Sequence, residues 1–323
     1  MPAKHSLLNS LSFQKLTFLI MISLASSGLS ALVDYTESED FKPKSSGASR
    51  SIKKQSPVAS ASVKSSVKRT SSGASGRYHF SGSVNYGSQD VGLDGKNGKM
   101  DMMEVEALLQ TSYNIFAQAR YYQASSSDDA LVTQSTSFQR GNADIILGFN
   151  WLQFGGSSDR ATVDLYGGLR LGQDESDFAS SRTDRILGVS TAKRFEDFAI
   201  GLGYEVQLTG TGNDSEMSIG NISKISASLG WVVSRDIRFL IEGFTYQVSA
   251  ADSGASSLFL EQELKFSTLN PQLQLKLSPM IDLTLGASFR TRRLKDSVLT
   301  SAKLWSLQGA YGRSLFAGLS VSI

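Results

Sequence analysis

Cysteine is absent from all 323 residues. That excludes a disulfide framework, a thiolate metal site, a cysteine nucleophile and a lipoprotein anchor. Histidine is nearly absent: only His5 and His79 occur, so imidazole chemistry has two places to sit at most. Long apolar runs are missing too, because the stretch Leu16–Leu24 is about half the roughly 20 residues a membrane-spanning helix needs. With 40% hydrophobic and 19% charged residues, apolar and polar side chains share every segment. A chain of this composition that enters a membrane does so as a closed β-barrel.

The N-terminal part is built differently from the rest. Lys4, His5 and Lys15 precede the apolar Leu16–Leu24, and small residues from Ala25 to Gly28 follow. This is the order of a secretory signal peptide, with cleavage expected after Ser27 or Ala31. Residues 1–27 are assigned to it, and residues 28–76 to a tail. From Phe41 to Gly76 the chain is rich in Ser and Lys, has no acid and carries few large apolar side chains. It lacks the apolar surface to offset its ordering entropy, so a disordered basic tail is expected, either a solvated spacer or a binder of anionic glycan or cell wall. Residues 1–76 hold ten Lys/Arg and four Asp/Glu, which leaves 22 bases against 26 acids from Arg77 onward.

Residues 77–323 follow a period of two, the repeat of a strand with one dry and one wet face. Tyr78, Phe80, Val84 and Tyr86 oppose His79, Ser81, Ser83 and Asn85. Met103, Val105 and Leu109 oppose Glu104, Glu106 and Gln110, and the same alternation returns around Ile145–Trp151, Val163–Leu171, Phe198–Leu208, Ile225–Val233 and Leu283–Phe289. The stripes run about 9–11 residues, the length a tilted strand needs to cross a bilayer core. Short breaks near Ser112–Asn114, Gly155–Arg160, Arg194–Asp197, Ser234–Asp236 and Ser278–Ile281 interleave with longer polar stretches near Gln89–Met100, Ser125–Ser137, Gln173–Ser181, Gly210–Met217, Ala250–Ser256 and Leu294–Thr300. Five short and six long connections join twelve antiparallel strands in an all-β barrel. Fourteen is the alternative, because the apolar phase slips between Leu258–Phe266 and Leu269–Leu277 near Pro271, and because Gly312–Ser314 could turn within Trp305–Ile323.

The closing residues, with Leu319, Val321 and Ile323 on alternate positions, resemble the C-terminal strand by which barrel-assembly machinery recognises outer-membrane proteins of Gram-negative bacteria, although those most often end in Phe. The resemblance covers residues 77–323 at the level of architecture. It implies a porin-like barrel in the outer membrane, with lipid and assembly machinery as partners and the tail in the periplasm. No nucleic-acid partner is expected. Tyr78, Tyr86, Tyr121, Trp151 and Trp231 sit near strand ends, where interface aromatics belong.

The chemistry left to such a barrel is its lining. Glu104, Glu106, Arg120, Asp144, Asp164, Arg170, Glu205, Lys224, Arg238, Glu242, Lys276, Arg290 and Arg292 occupy the polar phase and should face inward, since Lys or Arg at the lipid midplane costs about 2–4 kcal/mol. Across the first short turn, Glu106 should stand opposite Arg120. His79 has no local serine or acid motif, so no enzyme, catalytic residue or cofactor is expected. Asp90–Asp101 matches a calcium loop poorly, with Gly92 at a ligand position and two lysines inside, and reads as a solvent-exposed loop. Two functions follow: a passive channel for small hydrophilic solutes or ions, and a non-conducting structural or surface barrel. A barrel hydrolase is a distant third.

Overall fold

The computed structural model describes residues 78–93, 96–111, 113–126, 137–155, 159–214, 216–251, 258–291, 298, 301–310 and 313–323. The expected signal peptide and tail, Arg292 and most of Ser125–Ser137 lie outside the described residues. Twelve strands follow in order: β1 (Tyr78–Leu93), β2 (Lys96–Thr111), β3 (Ile115–Ser126), β4 (Gln139–Phe154), β5 (Ala161–Leu171), β6 (Asp184–Phe195), β7 (Phe198–Leu208), β8 (Ile222–Ser234), β9 (Ile237–Val248), β10 (Leu264–Ser278), β11 (Ile281–Arg290) and β12 (Ser314–Ser322). Each pairs antiparallel with its sequence neighbours, and β1 with β12 closes the barrel. The C-terminal residue completes the seam: Phe80 N–H donates to Ile323 O at 3.0 Å and Ile323 N–H donates to Phe80 O at 2.9 Å. Closure matters because an open edge would leave backbone groups unpaired in lipid.

Alternation decides the two faces. Leu147 and Leu202 on the outer face remain 60% and 55% exposed, while Asp144 and Glu205 on the inner face of the same strands are buried. Similar outward stripes, such as Ile225 to Trp231 on β8 and Leu269 to Leu277 on β10, surround the barrel. An apolar belt of this extent is unfavourable in water and needs lipid around it. The five short breaks all fall at one end, helped by positive φ at Asn114, Gly155 and Glu196, and both Tyr78 and Ile323 lie at that same end. Inside, large aromatics lie over glycines of the neighbouring strand: a Cβ on Gly188 would meet the Tyr166 ring at 2.1 Å, one on Gly148 the Phe116 ring at 2.3 Å, and one on Gly286 the Phe316 ring at 2.2 Å. These ring-on-glycine contacts fill the interior while letting the wall curve.

Three sequence readings need correction. Gln89–Met100 is mostly sheet rather than loop, since β1 and β2 pair as far as Leu93 with Lys96. Asp90 and Asp101 therefore stand on opposite strands, opposite Lys99 and Ser88, and cannot wrap one ion as a loop would. Leu264–Ser278 is a single strand, and its only register shift lies between Lys276 and Ser278. The apparent phase slip arises because Leu264 and Phe266 point inward, into an apolar cluster. Finally, β12 starts at Ser314, and Trp305 belongs not to a strand but to the segment that fills the barrel mouth.

Candidate functional site

The lumen carries a row of directly opposed charges. Glu106 faces Arg120, Arg120 faces Asp144, Asp144 faces Arg170, and Arg170 faces Asp184, one residue on each of β2 to β6 with alternating sign. The expected Glu106–Arg120 register is present, but Arg120 turns to its other neighbour and pairs with Asp144, while Gln118 donates to Glu106. Arg170 grips the same carboxylate with both arms, Nε to Oδ1 at 2.7 Å and Nη2 to Oδ2 at 3.0 Å. Its Nη1 donates to Gln207 Oε1 at 3.0 Å, and Gln207 donates to Glu205 at 3.1 Å. Glu205 also accepts from Tyr166 Oη at 3.2 Å and lies 3.5 Å from Lys224 Nζ. The belt thus runs unbroken from Arg120 on β3 to Lys224 on β8, half the circumference. Bidentate guanidinium–carboxylate contacts of this kind fix geometry as well as charge.

Across the lumen, Gln272 donates to Glu242 at 2.8 Å, and lower on the wall Asn150 donates to Asp164 at 2.8 Å. Glu104 and Arg238 occupy inward positions on β2 and β9, and Lys276 on β10 stands opposite Asp282. Arg290 reaches upward to the carbonyl of Ala310. His79 stands opposite Gln110 near the short-turn end. Of the aromatics, Tyr78, Tyr86, Trp151 and Trp231 are exposed outward, Tyr121 is half-buried, and Trp231 stacks on Phe198 with centroids 5.7 Å apart.

Above the belt, the described residues at the end with long connections hold an apolar cluster. Described residues of four connections fold over the opening: 172–183 between β5 and β6, 209–214 and 216–221 between β7 and β8, 258–263 between β9 and β10, and 301–310 between β11 and β12. Phe178, Ile219, Leu260, Ala302, Leu304, Trp305, Leu307 and Ala310 join inward residues of β2, β3, β8, β9 and β10 in one apolar cluster that bridges opposite walls. Trp305 packs edge-on against Phe178 at 5.4 Å. Around it, Arg182 donates to Ala302 O at 3.1 Å and lies 3.7 Å from Glu216, which accepts from Ser180 Oγ at 2.9 Å and Ser181 N at 2.7 Å. Lys303 Nζ donates to Ser176 O and Asp177 O at 3.1 and 3.0 Å. Burial lowers the Lys303 ammonium below its ordinary pKa, against the opposing pull of Asp177 and Glu216.

Arg182, Asp184, Glu216 and Lys303 were not singled out from sequence, because they lie in or beside connections where period two says nothing. One signal was available. Leu304, Leu307 and Ala310 recur every third residue, and turn hydrogen bonds join Leu307 N to Leu304 O and Ala310 N to Leu307 O. That spacing suits consecutive tight turns and conflicts with a strand.

Closure, outward apolar belt and inward charge together specify a membrane-embedded barrel. The chain has the fold of outer-membrane channels. No family model matches the sequence, and no curated protein does. Among solved structures, an outer membrane channel from Pseudomonas putida F1 superposes with a TM-score of 0.53 at 11% identity, over 77% of this chain and 97% of that one. The NanC porin aligns over 74% of this chain and 98% of its own at 9% identity and TM-score 0.47. The KdgM porin, solved with oligogalacturonate, aligns over 75% and 99% at 10% identity and 0.44.

Proposed function

We propose that the chain is an outer-membrane channel through which small hydrophilic solutes or ions pass, with a lumen lined by both signs of charge. The observation that carries this reading is the belt from Arg120 to Lys224 inside a lipid-bounded wall. A barrel that needed only a filled interior would be served better by apolar packing, because buried ion pairs barely repay their desolvation. A wall that water and solutes must wet retains such charges for a reason. Opposite signs on adjacent strands favour weak ion preference over strong selection.

One observation favours the second reading, a non-conducting structural barrel. Glu106 and Asp184 are 1% exposed and Arg170 3%, so in the arrangement seen water is kept from these three, although the Arg120 side chain retains 24% exposure. Outer-membrane lipid, assembly machinery acting on the strand that ends at Ile323, and cell-wall glycan meeting the basic tail complete the proposed setting. The tail precedes a strand that begins at the short-turn end, the periplasmic side of such barrels.

The deciding experiment reconstitutes the mature protein in planar bilayers and records single-channel current as salt is varied, with and without residues 32–76. Discrete steps that scale with salt, and whose ion preference shifts when Glu205 is replaced by Gln, are expected. A folded barrel that stays silent in every condition, including with its mouth loosened as below, removes the channel reading in favour of the structural one.

A further inference from the structure

We propose that residues 301–310 form a movable plug, and that this segment opens and closes the lumen without disturbing the sheet. This rests on the channel reading for what passes, but not for the movement itself.

The plug is held as a separable part. Its backbone contributes no rung to any strand ladder. Polar contacts tie it to the rim: Met217 N–H donates to Ser301 O at 2.8 Å, Arg182 to Ala302 O, Lys303 to two carbonyls and Arg290 to Ala310 O. Burial supplies the rest, with Ala302 at 0% exposure, Leu304 at 1% and Trp305 at 3%. Withdrawal breaks these contacts and leaves all twelve strands paired.

The seat beneath it is poorly satisfied. Thr268 Oγ1, Asn270 Oδ1 and Ser288 Oγ are buried and have no hydrogen-bond partner among the described residues. Gly309 presses onto Thr268 and Ser288 so closely that a Cβ there would lie 2.6 Å from Thr268 Cγ2 and 2.8 Å from Ser288 Oγ, while the Asn270 amide donates to Gln308 Oε1 at 3.5 Å. Water returns to these groups when the segment leaves. The neighbouring wall is also interrupted: Asn270 and Pro271 have no partner on β11, because Pro271 lacks an N–H. Lys303, at φ 49°, and Gly309, at φ 71°, both hold the left-handed backbone, which costs a lysine strain. Apolar burial thus favours the closed state, while unpaired polar groups and backbone strain oppose it. That is the balance of a two-state element, not of a permanent core.

The absence of cysteine makes the test direct. Met217 N–H meets Ser301 O at 2.8 Å, an approach that brings the two backbones within the Cα separation a disulfide spans, so M217C with S301C should tie the plug to the rim reversibly. In bilayers, the oxidised form is expected to be silent and to conduct after reduction. In parallel, N270C places a lone thiol under the plug, and its labelling by a membrane-impermeant maleimide is followed in barrels whose folding is verified by heat-modifiable gel mobility. Trp305→Ala should raise that labelling rate at least tenfold. Equal current in the oxidised and reduced forms overturns the plug and keeps the channel. Silence in both redox states with faster labelling keeps the plug and removes the channel. Silence with unchanged labelling removes both.

Discussion

Asp144 holds two guanidinium groups, Arg120 and Arg170, on opposite sides of one carboxylate. Asp144→Ala therefore leaves two cations facing each other in a confined lumen, and should lower stability by about 3–5 kcal/mol, the usual cost of stranding a buried ion. Replacing both Asp144 and Arg170 by Leu should cost less, since one guanidinium is stranded instead of two and Glu106 stands opposite that one, Arg120, on β2. Urea unfolding of lipid-reconstituted barrels, followed by tryptophan emission, separates the two; equal losses would mean that the belt is solvated. Much of this was legible at the residue scale. Turn length fixed that Glu106 stands opposite Arg120. The choice of partner was not legible, because Arg120 has a carboxylate on each side and only the three-dimensional reach of Asp144 and Arg170 decides between them.

At the scale of the element, β10 and the plug show where alternation stops being informative. A strand's parity reports its faces only while the interior is polar. Leu264 and Phe266 are apolar and inward because the plug covers them, so they imitate a register slip. Pro271 does interrupt the sheet, but on the β11 side alone. Pro271→Ala should return a donor there and add about 0.5–1.5 kcal/mol, visible as a slowly exchanging amide at position 271 and slower exchange at Ala287; a fast-exchanging amide at position 271 would place the interruption elsewhere. The plug itself should respond to pH through Lys303. Burial depresses its pKa in the closed state, so closing releases a proton as pH passes between that lowered value and the ordinary lysine range. The closed state is therefore favoured as pH rises through this alkaline window and weakened below it. Asp177 and Glu216 are the charges that act on the same ammonium. Thiolate formation itself speeds labelling as pH rises, so the Lys303→Met barrel is the reference: the labelling rate of N270C divided by that of N270C with Lys303→Met should fall as pH is raised toward about 10, and a constant ratio points to another group.

The whole molecule is defined by the reversal of inside and outside, and depth tests it most sharply. Leu202 lies near the middle of the outward stripe on β7, and Phe198 at its short-turn end, stacked on Trp231. If lipid surrounds the barrel, Leu202→Arg places a cation near the bilayer midplane and should cost about 2–4 kcal/mol, while Phe198→Arg lies at the interface and should cost about 0–1 kcal/mol from the charge itself. Aromatic stacking lost at Phe198 adds about 0.5–1.5 kcal/mol, so Phe198→Ala is the reference from which the interfacial cost is read. Reversible unfolding in phospholipid vesicles measures all three. A soluble barrel hiding this face against a protein partner would show no dependence on depth, and its two arginine variants would become more soluble and no less stable once the partner was removed. In lipid the ranking follows height along the strand, and the position of steepest cost locates the midplane on residues whose parity alone already assigned them to the outside.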